Sequence, residues 1–181
     1  MEIGITDDGL SNRTEREVTF GELVERALPA SYRIAALILG NHADAEDVVQ
    51  EATVDAWRHF RDLRDDARFD AWFGRIVVNK CRDRARRKSN VALLTLDDDY
   101  QRARSELDQV SDRDAMRRCL AVLAPDHRTV IVLRFFADLA LTDIAERTGE
   151  PLGTVKSRLH YALTALRAAY DSAERSSGSS R

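Results

Sequence analysis

Proline and glycine are scarce in this chain, three and eight among 181 residues, too few turn formers for a β fold of many short strands. Cysteine is scarcer still. Cys81 and Cys119 stand far apart, in no metal-ligand or redox spacing, so neither a zinc site nor a disulfide scaffold is expected. No apolar run approaches the roughly 20 residues that cross a bilayer. The opening MEIGITDDGL lacks the basic and apolar parts of a signal peptide, so the chain reads as cytoplasmic, with any membrane connection made through a partner. Catalytic signatures are missing as well. The acids Asp44, Glu46 and Asp47 and the histidines His42, His59, His127 and His160 show no H-E-x-x-H, phosphate-loop or nucleophile-elbow spacing, so no enzyme, metal or cofactor is expected.

Charge is abundant but nearly balanced, at 33% of residues and a net −3, which at face value argues against a general nucleic-acid binder. The average hides a sorting along the chain. Arg75 to Lys88 holds seven basic residues against Asp83 alone, whereas Asp97 to Asp114 holds seven acids against three arginines. Helical periodicity runs from Phe20 to about Lys88, weakens, and resumes from Asp112 to Tyr170. The expected fold is therefore all-α, with two small helical domains at 20–88 and 112–170 joined by a flexible acidic linker at 89–111. Residues 1–19 and the Ser/Gly-rich 171–181 are expected to be loose.

The second unit contains LTDIAERTGEPLGTVKSRLHYALTALR. Thr142 sits where an N-cap would, Gly149 suits a left-handed C-terminal position, and Pro151 opens the next helix. At 100° per residue, Val155, Leu159, Ala162 and Leu166 share one narrow arc that must face a core, while Lys156, Ser157, His160 and Tyr161 point away. This pattern fits a helix-turn-helix with its second helix seated in a major groove, and equally an ordinary helical hairpin with a solvated face.

In the first unit, FDAWFGRIVVNKCRDRARRK places Trp72, Arg75, Asn79, Arg82 and Arg86 in one helical stripe, with Phe69, Phe73, Ile76 and Val77 on another face. Guanidiniums on one stripe can track phosphates, and Trp72 with Asn79 can stack on or hydrogen-bond to unpaired bases; Trp72 can equally be a core residue. Upstream, DAEDVVQEATVDAWRHF sets Val48, Val49, Ala52, Ala56 and Phe60 on one side and Asp47, Gln50, Glu51 and Arg58 on the other.

These segments carry a resemblance. LAPDHRTVIVLRFFADLALTDIAERTGEPLGTVKSRLHYALTALR resembles the C-terminal promoter-binding domain of extracytoplasmic-function (ECF) sigma factors, and Phe20 to Lys88 resembles the polymerase-binding and −10-binding domain of the same family, in the same order. The resemblance implies −35 contacts from Lys156, Ser157, Arg158, His160 and Tyr161, with Arg158, nearer the flank, on phosphate. It implies −10 recognition and melting by Trp72, Arg75, Asn79, Lys80, Arg82 and Arg86. Docking on core RNA polymerase is implied for Asp47, Gln50, Glu51 and Arg58, with the β′ clamp coiled coil and the β flap as sites on the enzyme. Promoter DNA and an anti-sigma factor are the remaining implied partners. Thr53, Gly74, Asp83 and Tyr161 depart from the family's usual residues. A stand-alone helix-turn-helix regulator is the alternative, and it leaves the first unit without a task.

Overall fold

A computed structural model of the chain describes residues 7–95 and 112–178, which form helices and short connections with no strand among the described residues. Helix α1 (Asp7–Leu39) turns Phe20, Leu23, Val24, Ala27, Ala35 and Ile38 inward at three- to four-residue spacing or its multiples. It starts earlier than the sequence periodicity indicates, at Asp7 rather than near Phe20. Gly40, at φ +79, ends it, and Asn41 caps α2 (His42–His59) by accepting the Asp44 N–H at 2.8 Å. Helix α2 buries Ala45, Val48, Val49, Ala52 and Ala56, the face the sequence pattern marks.

Two 3₁₀ turns, Phe60–Asp62 and Asp66–Arg68, lead into α3 (Phe69–Thr95), which runs past Lys88. Phe69, Phe73 and Val77 are wholly buried against α1 and α2. Phe20, Phe60 and Phe69 meet edge to face at centroid distances of 5.1, 5.9 and 6.2 Å, a geometry worth about 0.5–1.5 kcal/mol per pair beyond the area buried.

The second region consists of α4 (Asp112–Ala121), α5 (Pro125–Phe135), α6 (Leu141–Thr148) and α7 (Leu152–Gly178). Pro125 sits at the start of α5, where its missing N–H costs nothing. Five consecutive α5 residues, Thr129 to Leu133, are buried, so this helix is surrounded on every side. Val130, Leu133, Ile144 and Val155 form the centre of the region. Helix α7 continues through residues 171–178, so that part of the segment read as loose is helical. The acidic run 97–108 of the linker lies outside the described residues.

The two regions pack together. Val78 of α3 is buried among Val130, Leu133, Ile144 and Val155, while Ile131, Val132 and Ala162 join the core built by α1 to α3. Arg128 crosses the same boundary: its guanidinium donates to Ile38 O at 3.2 Å, to Leu120 O at 2.9 Å and to Leu123 O at 3.1 Å. One side chain thus ties together carbonyls near the ends of α1 and α4.

Candidate nucleic-acid interface

Helices α6 and α7 are joined by a tight turn with Gly149 at φ +69, and the Glu150 N–H bonds back to Ala145 O at 3.0 Å. This is the left-handed helix ending that glycine adopts without Cβ strain. Pro151 O then accepts from the Thr154 and Val155 N–H groups at 2.9 and 3.2 Å and opens α7. The start of α6 differs from the sequence reading. Ala140, without a side-chain cap, holds the N-cap position, and Thr142 lies inside the first turn. Leu141 explains the shift, since its partly buried side chain packs on the second-region core and pulls the helix start back.

Val155 and Ala162 are wholly buried, with Leu159 and Leu166 packed beside them, and Lys156, Ser157, His160 and Tyr161 are exposed. The expected outward face is therefore a continuous polar surface on a helix. Tyr161 is flanked by His160 and by His127 of α5, at ring-centroid distances of 5.7 and 6.3 Å. His127 was not foreseen because it reaches this face from another helix. Arg158 is turned aside, hydrogen-bonded to Glu150 and 3.2 Å from Asp126.

The α3 stripe divides into three environments. Trp72 is half-buried against Phe69, centroids 5.7 Å apart, so it is partly core and partly wall. It lines a cleft of about 580 Å³ with Arg68, Arg75, Asp143, Glu146 and Arg147, and Arg75 is exposed at its edge. Asn79 and Lys80 are half-buried, Lys80 reaching Asp55 at 2.6 Å and Glu51 at 3.7 Å. Arg82 departs from the reading as a free phosphate-tracking cation. It is 7% exposed, donates to Thr148 O at 2.7 Å and to Glu150, and brings Nε within 3.5 Å of Asp126. Arg86 binds the same Asp126 at 3.0 Å. The physical reason is tertiary: the C-terminus of α6 and the turn after it sit on this part of α3.

Beside this contact, Gly74 leaves room for Arg147, whose guanidinium nitrogen lies 2.5 Å from where a Cβ would stand. Burial lowers the affinity of Arg147 for its proton, and Asp143, Asp70 and Glu146 oppose that shift.

On α2, Asp47, Gln50, Glu51 and Arg58 are exposed as expected and share a shallow groove with Val54, Asp55 and Lys80. Arg84 lies across this face, 3.1 Å from Asp44, 3.6 Å from Asp47 and 3.1 Å from Glu51, and Lys88 also bonds Asp44. The sequence signal for this ladder is the four-residue recurrence of Lys80, Arg84 and Lys88, matched by Asp47, Glu51 and Asp55.

Burial pushes the Asp44 carboxyl up, but hydrogen bonds from Lys88 and Asn41 and the charges of Lys88 and Arg84 outweigh it and hold the group below its ordinary 3.8. A depressed folded value means that the stabilisation is complete above 3.8 and is lost as pH falls through the lower folded value. Thermal unfolding between about pH 5 and pH 2 should show this loss, and Asp44→Asn should flatten the dependence over that window.

The protein-family description Sigma-70 region 2 matches residues 23–91, and Sigma-70, region 4 matches residues 119–168. The ECF RNA polymerase sigma factor SigL of Mycobacterium tuberculosis is 39% identical over 142 residues, covering 75% of this chain and 80% of its own. RNA polymerase sigma factor SigV of Bacillus subtilis is 34% identical over 136 residues, 75% of this chain and 81% of its own. Among solved structures, CnrH in complex with the cytosolic domain of CnrY superposes with a TM-score of 0.60 at 29% identity, over 84% of this chain and 88% of that one. The sigma factor RpoE in complex with the anti-sigma factor NepR from Bartonella quintana shares the fold, with a TM-score of 0.65 at 21% identity, over 84% and 96% of the two chains.

Proposed function

The chain belongs to the ECF sigma factors of bacterial RNA polymerase, which direct promoter-specific transcription initiation, and from that premise we propose which surface meets which part of the initiation complex. Sigma factors are initiation factors, and the polymerising chemistry stays with the core enzyme. Residues 20–88 bind polymerase and the −10 element, and residues 112–170 read the −35 element. The supporting observation is that two polar faces of different chemistry stand on different helices. Lys156, Ser157, His160 and Tyr161 offer short-range donors from a helix that fits a duplex groove, with Arg158 at the flank. Trp72, Arg75, Asn79 and Lys80 combine an aromatic face, an amide and cations, the set that binds unpaired strands, with the exposed Arg86 further along α3 and Arg82 buried under the second region.

Asp47, Gln50, Glu51 and Arg58 form the polymerase-docking face, where basic residues of the enzyme displace Arg84 and Lys80 from the acids. A protein partner that occupies the free chain completes the reading, consistent with the two structures compared above being complexes. We place the chain in the cytoplasm with its polymerase; no described helix is long and apolar enough to cross a membrane.

Transcription by core polymerase on genomic promoters, with and without this chain, tests the whole reading: specific starts should appear only with it. For the docking face, Asp47→Lys with Glu51→Lys should weaken co-purification with core polymerase by about tenfold or more, because like charges set against one another cost several kcal/mol. Helical content should not change, since exposed ion pairs contribute only about 0–1 kcal/mol. Full co-purification of the double variant would remove the assignment.

A further inference from the structure

One side chain on the outward face of α7 differs in chemistry from its neighbours. Tyr161 is 61% exposed, yet its ring is not loose. His127, in the first turn of α5, stacks on it at a centroid distance of 6.3 Å and an interplanar angle of 25°. The adjacent His160 meets it edge-on at 5.7 Å and 67°. Imidazoles from two different helices thus hold the phenol ring, both within the range of about 4.5–7 Å over which aromatic pairs attract. A tyrosine has only two side-chain torsions, so fixing them in advance removes much of the ordering cost that a contact would otherwise carry. The ring is set in place before any partner arrives.

The chemistry of the strip decides what that partner is. Guanine is marked in the major groove by its O6 and N7 acceptors, which are read together by an arginine or a lysine. A phenol has a single donor and no positive charge. Ser157, one turn back on the same strip, already donates its hydroxyl proton to Thr154 O at 2.9 Å. The Ser157–Tyr161 strip therefore offers little to paired acceptors, and its largest free surface is an aromatic ring. The apolar group that a base presents in the major groove is the C5-methyl of thymine.

We infer that Tyr161 reads a thymine methyl of the −35 element with its ring, and that His127 is the positioning residue that holds the ring for this contact. The inference rests on the sigma-factor reading for seating α7 in a groove; the packing of the three rings does not depend on it. It gives α5 a share in base selection, which the recognition helix would otherwise carry alone. Lys156 and His160 lie one turn apart on the adjoining strip and keep the polar contacts.

The test uses polymerase holoenzyme reconstituted with the full chain, on promoters whose −35 element is randomised. The wild type should enrich a thymine at one position. Replacing that thymine by uracil in a synthetic template deletes the methyl alone and should weaken holoenzyme binding about fourfold, the worth of one buried carbon of this kind. Tyr161→Ala should bind both templates equally, whereas Tyr161→Phe, which keeps the ring and loses the hydroxyl, should keep the full ratio. His127→Ala should reduce the ratio to about twofold, because a ring that must be ordered on binding gives back roughly a factor of two. His127→Phe should restore it by restoring the stack. A merely structural role for His127 would weaken binding to both templates alike and leave their ratio unchanged, and that result overturns its assignment. A wild-type ratio in Tyr161→Ala overturns the thymine contact. Equal losses in Tyr161→Phe and Tyr161→Ala do so too, since the hydroxyl and not the ring would then make the contact. Enrichment of a −35 sequence without a thymine that depends on Tyr161 has the same consequence. Failure of the wild type to enrich any −35 sequence is a different result, and it removes the sigma-factor reading on which the seating of α7 rests.

Discussion

Alanine at Lys156, His160 and Tyr161 is expected to relax base preference at −35 by about 1–3 kcal/mol per lost contact, roughly 5- to 150-fold, while sparing promoter opening once the complex has formed. Alanine at Trp72, Arg75 and Asn79 is expected to do the opposite, leaving the closed complex largely intact and blocking strand capture. The asymmetry follows from what each face presents. The α7 face is polar and exposed, which suits base edges in a groove and gives no purchase on a flipped base. Trp72 is wedged against Phe69 with its outer side on a cleft, so a base stacking there meets a ring whose position is already fixed by the core. Such stacking is worth about 1–3 kcal/mol per base. Permanganate footprinting of unpaired thymines, run beside closed-complex binding, separates the two. Normal opening by the α3 variants, or poor opening by α7 variants that still bind −35, would show the roles to be assigned to the wrong faces.

What could be read from the sequence was whatever is local. The turn at Gly149–Pro151 and the inward arc of Val155, Leu159, Ala162 and Leu166 depend on neighbours a few residues away, and the structure has both. The α2 face of Val48, Val49, Ala52 and Ala56 was legible for the same reason. Thr142 was misplaced as a cap because capping propensity is weak against the burial of a leucine, and Leu141 settled the helix start. Arg82 shows where the reading ran out. Its helical phase puts it on the stripe with Arg75, yet its fate is decided by Thr148 and Glu150, 66 and 68 residues later. A signal for that second contact was nevertheless present in Ile76, Val77 and Val78. Three consecutive apolar residues span about 200° of a helix and cannot all face one core. Val77 packs in the first cluster and Val78 in the second, so the run marked a helix with partners on two sides.

That division sets up the largest expected effect on stability. Phe69 is wholly buried at the meeting point of Phe20, Phe60, Trp72 and Phe73, with centroid distances between 5.5 and 6.2 Å. Four aromatic neighbours fixed by α1, α3 and the 3₁₀ turn at Phe60 leave little freedom to collapse into the space a phenyl ring would vacate. Phe69→Ala should therefore cost about 3–5 kcal/mol, lowering the unfolding midpoint by roughly 6–20 °C in a chain of this size. Val78→Asp provides the contrast. Val78 is as deeply buried, at 1% exposure, but it lies between the two regions, so its carboxylate would be desolvated only while they stay packed. The chain can escape that cost by separating rather than unfolding. Calorimetry should accordingly show the first region's transition shifted down in Phe69→Ala, and a single cooperative transition split into two in Val78→Asp, with helical circular dichroism retained at low temperature. One lowered transition in Val78→Asp would mean instead that neither region is stable alone, and that the shared core, not the two separate ones, holds the fold.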